Sequence, residues 1–193
     1  MPFATDTSWP VGLLRIFDIA GSARGSFENR YYGAYTKLLT HCFGHDFDFV
    51  VAPQAPPDDS HDNFIVYLIV FDVPQQRPVF FLEVKDDGHN LIPAKREAAD
   101  AQMRGRYNKL LHDCPIPLLY GLSVLGTGMR VYCGDKARRT VTPSFVETDW
   151  HFVLPAEYLQ DQWSLDILSP GGFSEMKRIV AYIKGESTKF QPG

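Results

Sequence analysis

The run Pro78-Val79-Phe80-Phe81-Leu82-Glu83-Val84-Lys85 constrains the fold more than any other segment of the chain, because it is apolar on both faces of a strand until its last residues. Side chains alternate along a strand, so Phe81, Glu83 and Lys85 project to one face while Leu82 and Val84 project to the other. A strand that is apolar on both sides belongs in the middle of a covered sheet. An acid and an amine at its end are costly to bury unless they pair or bind something. The expectation here is a divalent metal site.

With 193 residues and 45% hydrophobic content, the chain is long enough for one substantial core, and a single domain over residues 1–193 is expected. The formal net charge of −4 argues against coating nucleic acid by bulk positive charge, and leaves room for a local basic groove. Cys42, Cys114 and Cys133 are odd in number and far apart, so they suggest neither a disulfide framework nor a zinc knuckle. They read as thiols of a reducing compartment. No long apolar span is present, and the first residues carry Asp6, Pro10, Arg15 and Asp18, unlike a secretory leader. The expected location is cytoplasm or nucleus, with no membrane partner.

Residues 52–60, rich in proline and aspartate, predict a loop. Before it, Ser26 is placed to cap a helix over 27–43 whose apolar stripe is Tyr31, Tyr35, Leu38, Leu39 and Cys42, with Glu28 in the first turn on that face. After it, 64–71 and 79–85 predict a hairpin turning at 72–77. Pro93 suits the first turn of a helix running to about His112. On that helix Ala94, Ala98, Ala101 and Gly105 line one face, expected to approach the sheet closely, and Lys95, Gln102 and Lys109 line its border. Strands over 118–125 and 129–133 meet at Gly126-Thr127-Gly128, and a strand near 150–154 and a helix over 174–184 follow. The expected class is α/β, a central mixed β-sheet flanked by helices, in the order α-β-β-α-β-β with C-terminal additions.

Metal-assisted phosphodiester hydrolysis wants hard oxygen ligands and open coordination positions. Glu83 offers one such ligand, Asp62 at the mouth of the preceding strand offers another, and Lys85 is placed to orient or deprotonate a water, or to stabilise charge on phosphate. Through Asp62 before Phe64-Ile65-Val66, then Glu83-Val84-Lys85, then a helix, the chain resembles the PD-(D/E)XK nuclease superfamily, with its restriction-endonuclease-like fold. The resemblance implies that Asp62 and Glu83 are metal ligands, Lys85 the catalytic lysine, Glu28 the acid of the first helix and Gln102 the glutamine of the following helix. It implies Mg²⁺ or Mn²⁺ as cofactor and nucleic acid as partner, DNA before RNA, with a homodimer as a common arrangement. The pattern also looks like small fungal members and the nuclease-like domains of Crinkler-type effectors. His61 stands where a proline is usual, and Tyr107 falls one position beyond the Gln-x-x-x-Tyr spacing of the RecB-like branch.

Plainer readings compete at each position. Asp72 rivals Asp62 as a ligand, although a short hairpin places it at the turn, away from Glu83. Glu28 also suits a helix N-terminus as such. Arg104, Arg106, Arg130, Lys136, Arg138 and Arg139 are candidates for a phosphate-contacting surface or for ordinary solubilising charge. His89-Asn90 near Pro93 suggests an HNH nuclease, but the further His or Asn ligands are missing, and six histidines without close spacing do not make a zinc site. The alternative functions are a nucleic-acid-binding domain that has lost cleavage, and a protein-interaction or effector domain with Trp150, Phe152 and Trp163 as apolar surface candidates.

Overall fold

The computed structural model describes residues 2–22, 28–44, 48–54, 67–147 and 153–190. Among them, α1 (Pro2–Thr5) and α2 (Val11–Ser22) precede a short 3-10 helix, Glu28–Tyr31, that leads into α3 (Tyr32–Phe43). The strands β1 (Phe49–Gln54), β2 (Tyr67–Asp72) and β3 (Arg77–Lys85) form an antiparallel meander. The 3-10 helix Asp87–Leu91 and α4 (Pro93–Leu110) then cross over to β4 (Leu118–Leu125), which runs parallel to β3. Next come β5 (Gly128–Asp135), the short strands β6 (Thr140–Thr142) and β7 (Leu165–Asp166), and α5 (Pro170–Ser187). The sheet order is β1-β2-β3-β4-β5-β6, and β7 also pairs with β5. The architecture is α/β with a mixed open sheet flanked by helices.

β3 lies between β2 and β4 and is buried from Pro78 to Lys85, as its two-sided apolar run predicts. Pro78 has no N–H for the ladder, and the β2–β3 register shifts between Val70 and Phe71, opposite it. One face of β3 meets α3, where the rings of Phe43 and Phe80 lie 5.7 Å apart. The other meets α4, where Phe81 and Tyr107 pack edge to face at 4.9 Å. The stripe of Tyr31, Tyr35, Leu38, Leu39 and Cys42 is buried as its spacing predicts. The strand β1 was not expected: the chain stays extended through Pro53, tolerated because β1 is an edge strand with β2 as its only ladder partner among the described residues. Of the expected strand near 150–154, residues 150–152 lie outside the described residues, and 153–155 is irregular.

The predicted close-approach face of α4 is corrected. Ala94, Ala98 and Ala101 are exposed, and a Cβ built on Gly105 meets nothing within 4 Å. The helix instead buries Arg96, Ala99, Asp100, Met103 and Tyr107. Closeness comes from glycines in the sheet: a Cβ on Gly121 would stand 2.6 Å from Phe81 Cζ and 2.9 Å from the Tyr107 hydroxyl, and one on Gly134 would stand 2.7 Å from the Tyr107 ring. Tyr107 fills that space and donates to the Leu119 carbonyl at 3.1 Å. Gly121→Ala is therefore expected to destabilise the protein by about 1–3 kcal/mol through overpacking, read as a lower urea midpoint at unchanged slope.

At the N-terminal end Trp9 donates to the Ile167 carbonyl at 2.7 Å, and Phe3, Trp9 and Phe173 pack as one aromatic group that ties α1 to α5. The three cysteines are free thiols. Burial pushes the Cys114 thiol up to about 11 and Cys42 well above its ordinary value. Because the thiolate is the nucleophile, iodoacetamide at neutral pH is expected to leave both unmodified in the folded protein and to alkylate both in urea, read by mass spectrometry.

Candidate active site at the end of strand β3

Glu83 and Lys85 are 1% and 6% exposed, and the Lys85 amine stands 3.9 Å from Glu83 Oε1. They share the face of β3 turned toward α4, as the alternation of strand side chains requires. A second cation comes from the helix: Arg106 Nε lies 3.8 Å from Glu83 Oε2. Both separations exceed hydrogen-bond range, so these pairs are Coulombic contacts across a desolvated gap. In the sheet Glu83 sits between Tyr67 of β2 and Ser123 of β4. Ser123 is buried and accepts a hydrogen bond from Trp163 Nε1 at 3.1 Å.

The 3-10 helix that begins with Glu28 is brought to this end of the strand. Its Arg30 reaches Asp86 Oδ2 at 3.1 Å and Asp87 Oδ1 at 2.7 Å, immediately after Lys85 in the chain, and stacks over the Tyr31 ring at 4.9 Å. Asp86 caps the following turn by accepting from the Gly88 N–H at 3.0 Å. Burial pushes the Asp86 carboxyl up, but the Gly88 N–H, a hydrogen bond with Asp87 and the Arg30 charge outweigh it and hold it below its ordinary value. His89 is lowered by burial and by the Lys95 and Lys85 charges, so the imidazole is neutral at pH 7. The turn from β4 to β5 closes the floor: Gly126 N–H donates to the Lys85 carbonyl at 2.9 Å, and its carbonyl accepts from Tyr35 at 2.6 Å. Gly126 has φ +64, and a Cβ there would stand 2.6 Å from Asp87 Cβ, which is why a glycine occupies it.

Of the residues expected in the site, Glu83 and Lys85 lie together. Gln102 sits one helical turn before Arg106 on α4, half-buried, with an Oε1 that has no hydrogen-bond partner among the described residues. Asp62 lies outside the described residues, and so does the Glu28 side chain. Asp72 ends β2 beside the hairpin turn, paired with Arg77 and accepting from Gln75 N–H at 3.4 Å, at the far end of β3 from Glu83. Sequence reasoning left Arg106 among scattered basic residues, although its i+4 spacing from Gln102 already put both on one helix face.

Other basic residues have structural partners. Asp100 is 2% exposed and accepts from Arg104 Nε at 2.7 Å, Arg130 Nη1 at 2.9 Å and the Tyr132 hydroxyl at 2.8 Å. Lys136 donates to the Cys114 carbonyl, and Arg138 pairs with Asp135. Arg96 binds the carbonyls of Asn90, Ala156 and Tyr158, fastening 156–158 to α4. Trp163, expected as a surface candidate, is 2% exposed and belongs to a small core with Ala99, Leu125, Tyr158 and Leu159, because its indole N–H finds Ser123 inside. Trp150 and Phe152 lie outside the described residues.

No family model, curated protein or solved structure matches this chain. No helix among the described residues is long and apolar enough to cross a membrane.

Proposed function

We propose that the protein is a metal-dependent nuclease on a restriction-endonuclease-like fold, hydrolysing phosphodiester bonds with Mg²⁺ or Mn²⁺ and acting on DNA before RNA. The observation that carries this reading is the buried Glu83-x-Lys85 pair, on one face at the end of a central strand, with Arg106 of the crossover helix 3.8 Å from Glu83 Oε2. The mixed sheet, the parallel β3–β4 pair and the helix between them support it.

Glu83 supplies one carboxylate that a hard divalent ion could use, and the 3-10 helix carrying Glu28 reaches the same strand end through Arg30. Among the described residues no group of three or more His, Cys, Asp or Glu side chains gathers; the further ligands of this reading, Asp62 and Glu28, are those the resemblance implies. Bound there, such an ion supplies a more acidic water and neutralises charge on the phosphate. The chain's own part is electrostatic. The Lys85 ammonium orients the attacking water or stabilises the oxyanion growing on phosphorus, and burial strengthens it by excluding solvent. His89, in the 3-10 turn that follows the strand, is held toward its neutral form by burial and by the Lys95 and Lys85 charges.

One observation favours the rival reading, a nucleic-acid-binding domain without cleavage: the described carboxylate is faced by two cations. Wild type and Lys85→Ala incubated with supercoiled, linear and single-stranded DNA and with RNA, in Mg²⁺, Mn²⁺ or EDTA, decide between them. Cleavage lost in EDTA and in the variant is expected. Binding without product in every metal condition would select the binding domain.

A further inference from the structure

We propose that residues 153–163 form a strap that closes over Glu83 and Lys85 and opens as a unit while the sheet stays folded, with Arg96 as its latch. The strap packs on Ser123 and Leu125 of β4. Trp163 Nε1 donates to the Ser123 hydroxyl at 3.1 Å, and Tyr158, Leu159 and Trp163 gather with Leu125 and Ala99 in one apolar cluster. Ser123 and Leu125 are the register partners of Glu83 and Lys85, and register partners in neighbouring strands project to the same face. The Arg130 guanidinium lies 5.3 Å from the Trp163 ring, and Arg130 faces Ser123 from β5 in that same row. The strap therefore stands beside the acid and the amine on the face they share. With Glu83 1% and Lys85 6% exposed, a phosphodiester or any other solute reaches them only where part of their cover lifts.

Of the described elements on this face, the strap is the more weakly held. The helix α4 is seated in the main core by Met103 and Tyr107, whereas the buried residues of the strap all belong to the small separate cluster. The strap contains neither helix nor strand, and its own backbone bonds are local turns, from the N–H groups of Tyr158, Gln160 and Gln162 to the carbonyls of Pro155, Glu157 and Leu159. Leu159 and Asp161 have φ 53 and φ 61; a bulky leucine adopts that region only where its surroundings impose it, so opening relieves strain. A segment with few buried contacts opens locally at a lower free energy than the core. What holds it down is Arg96, 3% exposed on α4, which donates to the carbonyls of Tyr158 at 2.8 Å, Ala156 at 2.6 Å and Asn90 at 2.7 Å. These are charge-assisted bonds, and those to Tyr158 and Ala156 end on the strap. The Tyr158 hydroxyl adds a bond to the Val146 carbonyl at 3.0 Å.

The test pairs hydrogen exchange with amine labelling on the whole chain, for the wild type, Arg96→Met and Tyr158→Phe, with folding checked by circular dichroism. In the wild type the amides of Tyr158, Gln160 and Gln162 are expected to exchange faster than those of Leu122 and Val124 in β4, at rates that about 1 M urea leaves unchanged, because local opening exposes little surface. The second measurement is acetylation of Lys85 by an N-hydroxysuccinimide ester, read by mass spectrometry against the exposed Lys109. Arg96→Met keeps the apolar stem and removes the latch, so it is expected to speed both strap exchange and Lys85 acetylation by at least about tenfold, with Lys109 unchanged. Tyr158→Phe, which removes a single hydroxyl, serves if Arg96→Met is unfolded, and is expected to raise both by at least about threefold. Strap amides that exchange only together with the β4 amides, with the same urea dependence, overturn the inference, because strap and core are then one unit. Unchanged strap exchange in a folded Arg96→Met overturns it too. So does faster strap exchange with Lys85 acetylated no faster, because the strap is then not what covers the amine. Neither measurement uses cleavage, so the nuclease reading stands or falls apart from this inference.

Discussion

On the proposed nuclease reading, Glu83→Gln is expected to lower metal-dependent cleavage by more than about 100-fold, the largest functional effect of any single change in the described site. The substitution is nearly isosteric and keeps the side chain in the β3 ladder between Tyr67 and Ser123, so packing is preserved. What it removes is the negative charge facing Lys85 and Arg106. An amide is a weaker ligand for a hard cation than a carboxylate, and it no longer holds the two cations in place. Rates on the substrate cleaved best by the wild type, measured over a range of Mn²⁺ concentrations, check this. Retention of wild-type activity at saturating metal would remove Glu83 from the chemistry and leave the pair a structural one.

Asp100→Ala is expected to cost about 3–5 kcal/mol of folding stability, because it strands the buried Arg130 and the Tyr132 hydroxyl without the carboxylate they were built around. Asp100 is 2% exposed, and Arg130 is 5% exposed, so solvent does little to replace the lost partner. Arg104 loses two hydrogen bonds at once, at 2.7 and 3.2 Å, and keeps the one to the Pro143 carbonyl. With roughly 2–4 °C per kcal/mol for a domain of this size, the melting temperature should fall by about 10 °C. Scanning calorimetry or a circular dichroism melt reads it directly, and a fall of under about 2 °C would show the network to be dispensable. Paired with Arg130→Met in a double-mutant cycle, the change separates the cost of the lost pair from the cost of the orphaned charge.

The strands at the centre were legible because their signals are local. Alternation in Phe81, Glu83 and Lys85, the turn residues at 126–128 and the proline at the start of α4 each act within a few residues, and each element appears where that chemistry puts it. The misreadings share one cause. Ala94, Ala98 and Ala101 do line one face of α4, but which face turns inward depends on what the sheet presents. The sheet presents Gly121 and Gly134 to Tyr107, so the small residues that allow close approach lie in β4 and β5 rather than in the helix. Arg104 and Arg130 looked like surface charge because Asp100, which gathers them, is four residues from one and thirty from the other. Such a cluster has no period to read.

By itself the sequence determined that Glu83 and Lys85 share a face near the end of a strand apolar on both sides, since the pleat of a strand leaves no other choice and two-sided apolarity demands a covered position. Only the tertiary structure decided what faces that carboxylate. The parallel β3–α4–β4 crossover, seated by Tyr107 over Gly121, places Arg106 3.8 Å from Glu83, and the ion pairs of Arg30 bring the 3-10 helix Glu28–Tyr31 to the same strand end. Those contacts join residues far apart in the chain, and the desolvation that gives them their strength exists only once the sheet and its helices have closed around them.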